Sequence, residues 1–410
     1  MTPSQARLML FVTMLISFLG TAGIALPYPV LAPYFIDFPA NDLTNFAGIH
    51  PKILLGVALA LYPLGMLIGG SFIGALSDLY GRRRILVITL VGTSIGYLIA
   101  GYAIYIESYP LFILSRLLSG VCEGNVAIAR AMAADLHPHI DKVRAMSLLF
   151  ATVYAGWLFG PLAGGYLMVF GLSWVFIIAA IATLLTIIVV MLGVQPREHP
   201  PEEERSLAQL IVQENSFMLL KHRFIWPLFS YYFIYTLGIN LFYEFYPVWL
   251  VERLDYNSQD IAWMTVIITA FMIFSSVMIA TKLISHFGKF YCLIIGTILM
   301  PLYMTMVIYS NEMMVMLLFG IMGMTIAVIN AVTPTYMSDR FEHFGQGKIM
   351  GLQTSLFFLS NVIMALVGSI IAVLDVDAIM LSSGALILSA LIWLFVTGES
   401  RELASASEAS

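Results

Sequence analysis

Charge is scarce in this sequence. Only 10% of its 410 residues are Asp, Glu, Lys or Arg, where a soluble globular chain carries about 25%. With 60% hydrophobic residues and a mean hydropathy of +0.93, a water-soluble fold is excluded and an integral membrane protein is expected. Cysteine is almost missing. Cys122 and Cys292 both fall in segments expected to span the membrane, so neither a disulfide nor a cysteine metal framework is expected. Short alternating strands, the mark of a membrane barrel, are lacking. There is no basic tract beyond Arg82, Arg83 and Arg84, and the net charge is −5, so nothing points to nucleic acid. The seven His are scattered. No His-rich metal motif, nucleophile elbow or phosphate loop marks an enzyme, and neither metal nor cofactor is expected.

What the chain does have is a series of uncharged runs long enough to cross a membrane as helices, which takes about 20 residues each. Twelve are expected, near 8–35, 53–77, 84–105, 109–135, 143–168, 172–193, 224–250, 259–284, 288–309, 313–337, 346–373 and 376–397. The run 8–36 is too long for the apolar core of a cleaved signal and reads as a retained first helix. Residues 145–196 carry no charge and must form two helices, with Gly171, Leu172 and Ser173 as the turn. Of the 19 Lys and Arg, only Lys52 and Arg253 fall in the odd-numbered loops. Arg116 lies inside span 4 and Arg130 at its inner end; the others sit in the termini and even-numbered loops. Both termini are therefore expected on the cytoplasmic side.

The longest loop divides the spans six and six. The expected organisation is a six-helix bundle over 1–195, a cytoplasmic central loop over 196–223, a second six-helix bundle over 224–398, and a disordered cytoplasmic tail over 399–410. Within the loop, 206–220 suits a short amphipathic helix. The halves repeat weakly. Arg144, Met146 and Leu148 open span 5 as Lys348, Met350 and Leu352 open span 11, and Gly164 falls opposite Gly368 at the same offset. Gly120 pairs with Gly320, and Gly288-Lys289 of loop 8–9 with Gly81-Arg82 of loop 2–3.

Loop 2–3 itself is the most specific feature. Gly74, Asp78, Gly81, Arg82 and Arg83 are spaced Gly-x3-Asp-x2-Gly-Arg-Arg between two uncharged runs. This spacing resembles the loop 2–3 signature of the major facilitator superfamily of secondary transporters. Three more patterns are similar to its twelve-span drug:proton antiporter branch, the tetracycline and multidrug efflux type. They are Arg116-x3-Gly120 in span 4, Gly156-x3-Gly160-Pro161-x2-Gly164-Gly165 in span 5, and Pro29-x3-Pro33 at the end of span 1. The matches cover the N-terminal half well, while the C-terminal half matches mainly by repeat. The resemblance implies an all-α membrane protein with twelve transmembrane helices in two six-helix, pseudo-symmetric bundles. It also implies that Asp78 and Arg82, with Arg130 nearby and Asp135 as partner of Arg82, belong to a latch between conformations. A plain positive-inside turn would account for the arginines, but not for Asp78 with Gly74 and Gly81. In span 5, Pro161 should bend the helix. Gly156, Gly160 and Gly164 share a face that lets another helix approach, either as simple packing or to seal one side of a cavity.

Span 4 also carries intramembrane charge. Arg116, Glu123 and Arg130 are spaced by seven, which on a continuous helix puts them nearly on one face. A midplane charge costs about 3 kcal/mol on insertion scales, so this face must line a cavity or be paired. Either Arg116 and Glu123 form a static bridge, or Glu123 binds a proton or cation with Arg116 tuning it. In span 7, Tyr232, Thr236, Asn240 and Glu244 recur every fourth residue with Tyr243 beside them. Glu244 is a second coupling candidate, or merely faces water near the headgroups. Thr21, Tyr28, Asn330 and Asn361 join the cavity candidates from spans 1, 10 and 11, although such side chains also glue helices together.

The expected function is a proton-coupled exporter of a small amphipathic molecule (drug, siderophore or metabolite) working by alternating access. Its partners would be that substrate, protons and membrane lipid. The expected setting is a monomer in a bacterial inner membrane. An importer or uniporter on the same fold is the alternative; a membrane-embedded enzyme or receptor would leave the repeat and the intramembrane charges unexplained.

Overall fold

The computed structural model describes residues 3–70, 72–123, 128–129, 132–133, 136, 139–194, 216–344 and 346–397. Among them all regular structure is helical. This follows from the composition: in lipid no water satisfies backbone N–H and C=O groups, so an uncharged run must bond to itself. The first half contains α1 (Pro3–Ala25), α2 (Tyr28–Ile36), α3 (Pro51–Gly70), α4 (Ile73–Tyr80), α5 (Arg82–Tyr105), α6 (Tyr109–Cys122), α7 (Lys142–Leu167) and α8 (Leu172–Gly193). The second contains α9 (Trp226–Leu254), α10 (Ser258–Phe274), α11 (Ala280–Ile308), α12 (Glu312–Arg340), α13 (Gln346–Leu374) and α14 (Asp377–Val396).

Ten segments among the described residues are long and apolar enough to cross a membrane. At the places expected for spans 4 and 7 stand α6, which is short, and α9, whose 29 residues are rich in Tyr and carry the polar stripe. More than half of α9 is buried, which is how a spanning helix can hold polar groups away from lipid. The predicted spans 1 and 2 are each two helices. Pro27 lacks the N–H needed to continue α1, and the Gly-rich end of α3 gives way to α4. The predicted turn between spans 5 and 6 is made by Gly171 at φ 98°. Span 8 ends in a π-helical turn, Ser275–Ile279, before α11.

The chain divides into two compact units. The first holds residues 1–214 with 257–262; the second holds 215–256 with 263–410. In the first, α1 packs on α7 and α8, α6 on α3 and α5, and α5 on α8. In the second, α9 packs on α13 and α14, and α11 on α12 and α14. Each of these pairings in the second unit has its counterpart in the first, and so do the glycines of the repeat. Gly164 meets Leu26 beside α1, and its counterpart Gly368 meets Leu241 and Phe245 of α9. Gly120 lies against Tyr62 of α3, and Gly320 against Phe271 of α10. Gly81 (φ 90°, ψ 133°) and Gly288 (φ 78°, ψ 160°) share a backbone conformation that other residues rarely adopt. One apolar core gathers the α4–α5 side of the first unit, with Ile16, Ile73, Leu86, Leu90, Met132, Leu149 and Val190 at its centre. The proposed central-loop residues 196–215, most of the amphipathic segment 206–220, and the tail 399–410 lie outside the described residues.

Candidate functional site

Span 4 is held by glycines on two sides. Gly65 and Gly69 of α3 face Leu117, Gly120 and Val121, and a Cβ at Gly65 would come 2.5 Å from the Leu117 carbonyl oxygen. On the other side Gly92 and Gly96 of α5 face Cys122 and Ser119. Both pairs have the four-residue spacing that lets backbones approach. This close packing sets the depth of Arg116, which is only 6% exposed. Its guanidinium carbon lies 4.5 Å from the centre of the Tyr62 ring and 5.9 Å from that of Phe176. Aromatic faces thus replace part of the hydration the charge has lost.

Glu123 is not on a continuous helix. The α6 helix stops at Cys122, and Glu123 has φ −81° and ψ 39°. Its N–H bonds to the Gly120 carbonyl three residues back, at 3.1 Å. The expected common face of Arg116, Glu123 and Arg130 therefore fails at Glu123. A seven-residue spacing fixes a face only while helical geometry lasts, and here it ends one residue before Glu123. Arg130 lies outside the described residues.

The Glu123 carboxylate is 6% exposed and borders a small cavity of about 10 Å³, close to the room one water needs. The cavity walls come from α1 (Gly20, Gly23), α5 (Thr93, Tyr97) and α8 (Thr183, Thr186). Thr93 Oγ1 donates to Glu123 Oε2 at 3.4 Å. Gly20 leaves the carboxylate open on another side, since a Cβ there would sit 3.8 Å from Oε1. Thr183 and Thr186 donate to the Ala179 and Ala182 carbonyls, each at 2.8 Å, so their oxygens keep lone pairs for the cavity. Tyr97 lines the cavity, and the hydroxyls of Tyr62 and Tyr97 are both buried. The sequence reading missed Tyr62, Thr93, Tyr97, Thr183 and Thr186. The only signal was hydroxyls spaced three or four apart in apolar spans 3 and 6.

In loop 2–3, Gly81 supplies the turn between α4 and α5. Ser77 Oγ donates to the Gly74 carbonyl at 2.8 Å. Arg83 Nη2 donates to the Met191 carbonyl at 2.7 Å, capping the C-terminal end of α8 where a cation suits the helix dipole. Arg82 is half-buried. The Asp78 side chain and Asp135 lie outside the described residues. In span 5, Gly156, Gly160 and Gly164 bring α7 against Thr21, Ala22 and Leu26. A Cβ at Gly160 would come 2.6 Å from the Ala22 carbonyl oxygen. Pro161 lies within α7, which remains one helix. Gly165 faces Ser258 and Ala262, residues grouped with the same unit. Thr21 is buried in the α1–α7 contact, and Tyr28 is half-buried with its ring 6.3 Å from that of Trp157.

In the second unit Glu244 is buried on α9. Asn240 is a packing group: its Nδ2 donates to Ser360 Oγ at 2.7 Å and to the Phe357 carbonyl at 3.2 Å. Thr236 donates to the Phe233 carbonyl. Tyr232 and Tyr243 are half-buried beside Tyr235, and Tyr243 Oη reaches Met272 Sδ at 3.3 Å. Asn330 is exposed, and Asn361 is half-buried with an enclosed Oδ1. The ring stack of Phe242, Tyr246 and Phe319 was not foreseen. Neither was the joint hold of Trp249 and Arg253 on Asp377.

Comparison with known proteins decides the family. The sequence profile of the Major Facilitator Superfamily matches residues 9–308 and again 258–410. The chain belongs to the major facilitator superfamily. It is a transporter rather than an enzyme. This transporter is 26% identical over 369 residues to the class B tetracycline resistance protein of Escherichia coli, covering 88% of this chain and 87% of that one. It is 23% identical over 376 residues to multidrug resistance protein 2 of Bacillus subtilis (strain 168), covering 90% and 89%. Its fold is similar to that of the human organic anion transporter MFSD10 (TETRAN), with TM-score 0.67, 18% identity and coverage of 95% and 99%. A D-xylose-proton symporter matches with TM-score 0.71, 18% identity and coverage of 94% and 97%.

Proposed function

We propose that this transporter exports a small amphipathic molecule in exchange for protons, with Glu123 as the proton-binding group. The observation that carries this reading is the buried Glu123 carboxylate on a broken helix, next to a water-sized cavity lined by hydroxyls. A carboxylate in lipid surroundings favours its neutral form, and a nearby cation favours its charged form. A change in distance between Arg116 and Glu123 would therefore load or release a proton. Movement of residues 1–195 against 224–398 would supply that change by alternating access. Glu244 is the second candidate for the same role. Gly74, Asp78, Gly81 and Arg82, with Arg130 and Asp135, would latch one conformation, with Arg83 anchored on α8. The span 5 motif would keep α1 and α7 in close contact as the unit moves.

The half-buried Tyr232 and Tyr243 of α9 would suit a flat neutral or cationic molecule. The named relatives support a drug-like substrate, with a siderophore or metabolite as the other candidates. The charge bias of the loops supports cytoplasmic termini, and the bacterial tetracycline resistance relative supports a bacterial inner membrane. The test is uptake of labelled tetracycline or a lipophilic cation into inside-out vesicles. Accumulation when the lumen is made acidic, abolished by a protonophore, is the expected result. Accumulation without any proton gradient would sink the antiport reading in favour of a uniporter.

A further inference from the structure

A groove of about 500 Å³ opens on the second unit along the end of α10, the π-helical turn and the start of α11. Its walls are Phe274, Met278, Ile279, Leu283 and Phe287, with Lys282 and His286 between them. Phe274, Met278 and Phe287 are at least half exposed. Lys282 and His286 are also exposed and lie one helical turn apart on the same face. The apolar wall therefore holds two nitrogen donors.

The repeat makes this polarity unusual. With Gly288 opposite Gly81, Ser285 stands where loop 2–3 has Asp78, so the acid is missing. Lys282 and His286 stand where the first half has Ala75 and Leu79, so two basic side chains are gained. No Asp or Glu occurs anywhere between Asp260 and Glu312. Loop 2–3 carries its own acid, and loop 8–9 has none within it. In a bilayer, an anion with apolar chains attached is a phospholipid.

We propose that this groove binds an anionic phospholipid, with its phosphodiester on Lys282 and His286 and an acyl chain along Phe274, Met278 and Phe287. A basic residue at a membrane surface strengthens attraction to anionic lipid by about fivefold. The test is native mass spectrometry of the purified full chain after exchange into phosphatidylglycerol or phosphatidylcholine. The wild type should retain phosphatidylglycerol in preference. Lys282→Gln should lower that retention about fivefold, Lys282→Gln with His286→Gln should lower it further, and Lys282→Arg should preserve it. Equal retention of the two lipids, or of phosphatidylglycerol by wild type and double variant, would overturn the proposal. Displacement of phosphatidylglycerol by inorganic phosphate in the millimolar range would also overturn it, because the groove would then read phosphate alone.

Discussion

Glu123 and Arg116 sit in one unit with different supports, and those supports make different predictions. Arg116 depends on a planar cation over the Tyr62 ring, which an ammonium matches poorly. Arg116→Lys should keep the protein folded and its charge in place, yet lower transport by about tenfold, a loss equivalent to roughly 1.4 kcal/mol; wild-type transport in that variant would mean the stacking is unimportant. Thr93→Val removes a hydroxyl from Glu123 without changing side-chain shape much. If the cavity serves the proton, this variant should shift the pH dependence of transport while leaving substrate affinity alone. An unchanged pH profile would assign Thr93 to packing. Both acidic candidates, Glu123 and Glu244, stood out in the sequence as carboxylates within apolar spans, although each also had a bland reading, a static bridge for Glu123 and headgroup water for Glu244. Thr93, Thr183 and Thr186 were not, because a hydroxyl that bonds back to its own helix looks the same in sequence whether or not its other side meets a cavity. Asn240 shows the converse, since its place in a polar stripe suggested a cavity and its amide binds Ser360 and Phe357.

At the scale of elements, glycine decides which helices approach. Gly65 has no room for a side chain, whereas Gly70, one turn further on, meets nothing within 4 Å. Overpacking of this kind costs about 1–3 kcal/mol. Gly65→Leu should lower the apparent melting temperature in detergent and Gly70→Leu should not; equal melting of the two would refute the glycine-sided packing of α6. Gly81 and Gly288 test the backbone instead. A Cβ at Gly81 meets open space, so any loss in Gly81→Ala comes from the positive φ and should be of order 1–3 kcal/mol. Gly288→Ala should cost a similar amount, and a neutral result at either position would break the equivalence of the two loops. The Gly-x3-Gly spacings were readable in the sequence, but not the helices they receive. The end of α6 at Cys122 was unreadable for a related reason. A residue such as Glu123 can belong to a span without continuing its helix.

The whole molecule is two units built on one pairing scheme, and the sequence showed this through Gly164 with Gly368, Gly120 with Gly320, and Gly81 with Gly288. What distinguishes the units is chemistry. The first holds Arg116 on aromatic rings and Glu123 beside a water-sized cavity; the second holds Glu244 on the tyrosine-rich α9. That division suits a protein in which a proton and an organic molecule compete for one conformational cycle. The direct test uses proteoliposomes containing a trapped pH dye, with wild type and Glu123→Gln compared for proton movement and for substrate counterflow in the same preparation. The account predicts that adding a transported compound drives protons the opposite way in wild type. Glu123→Gln should lose that proton signal and keep counterflow. Proton exchange that survives intact in Glu123→Gln would contradict it and pass the coupling role to Glu244.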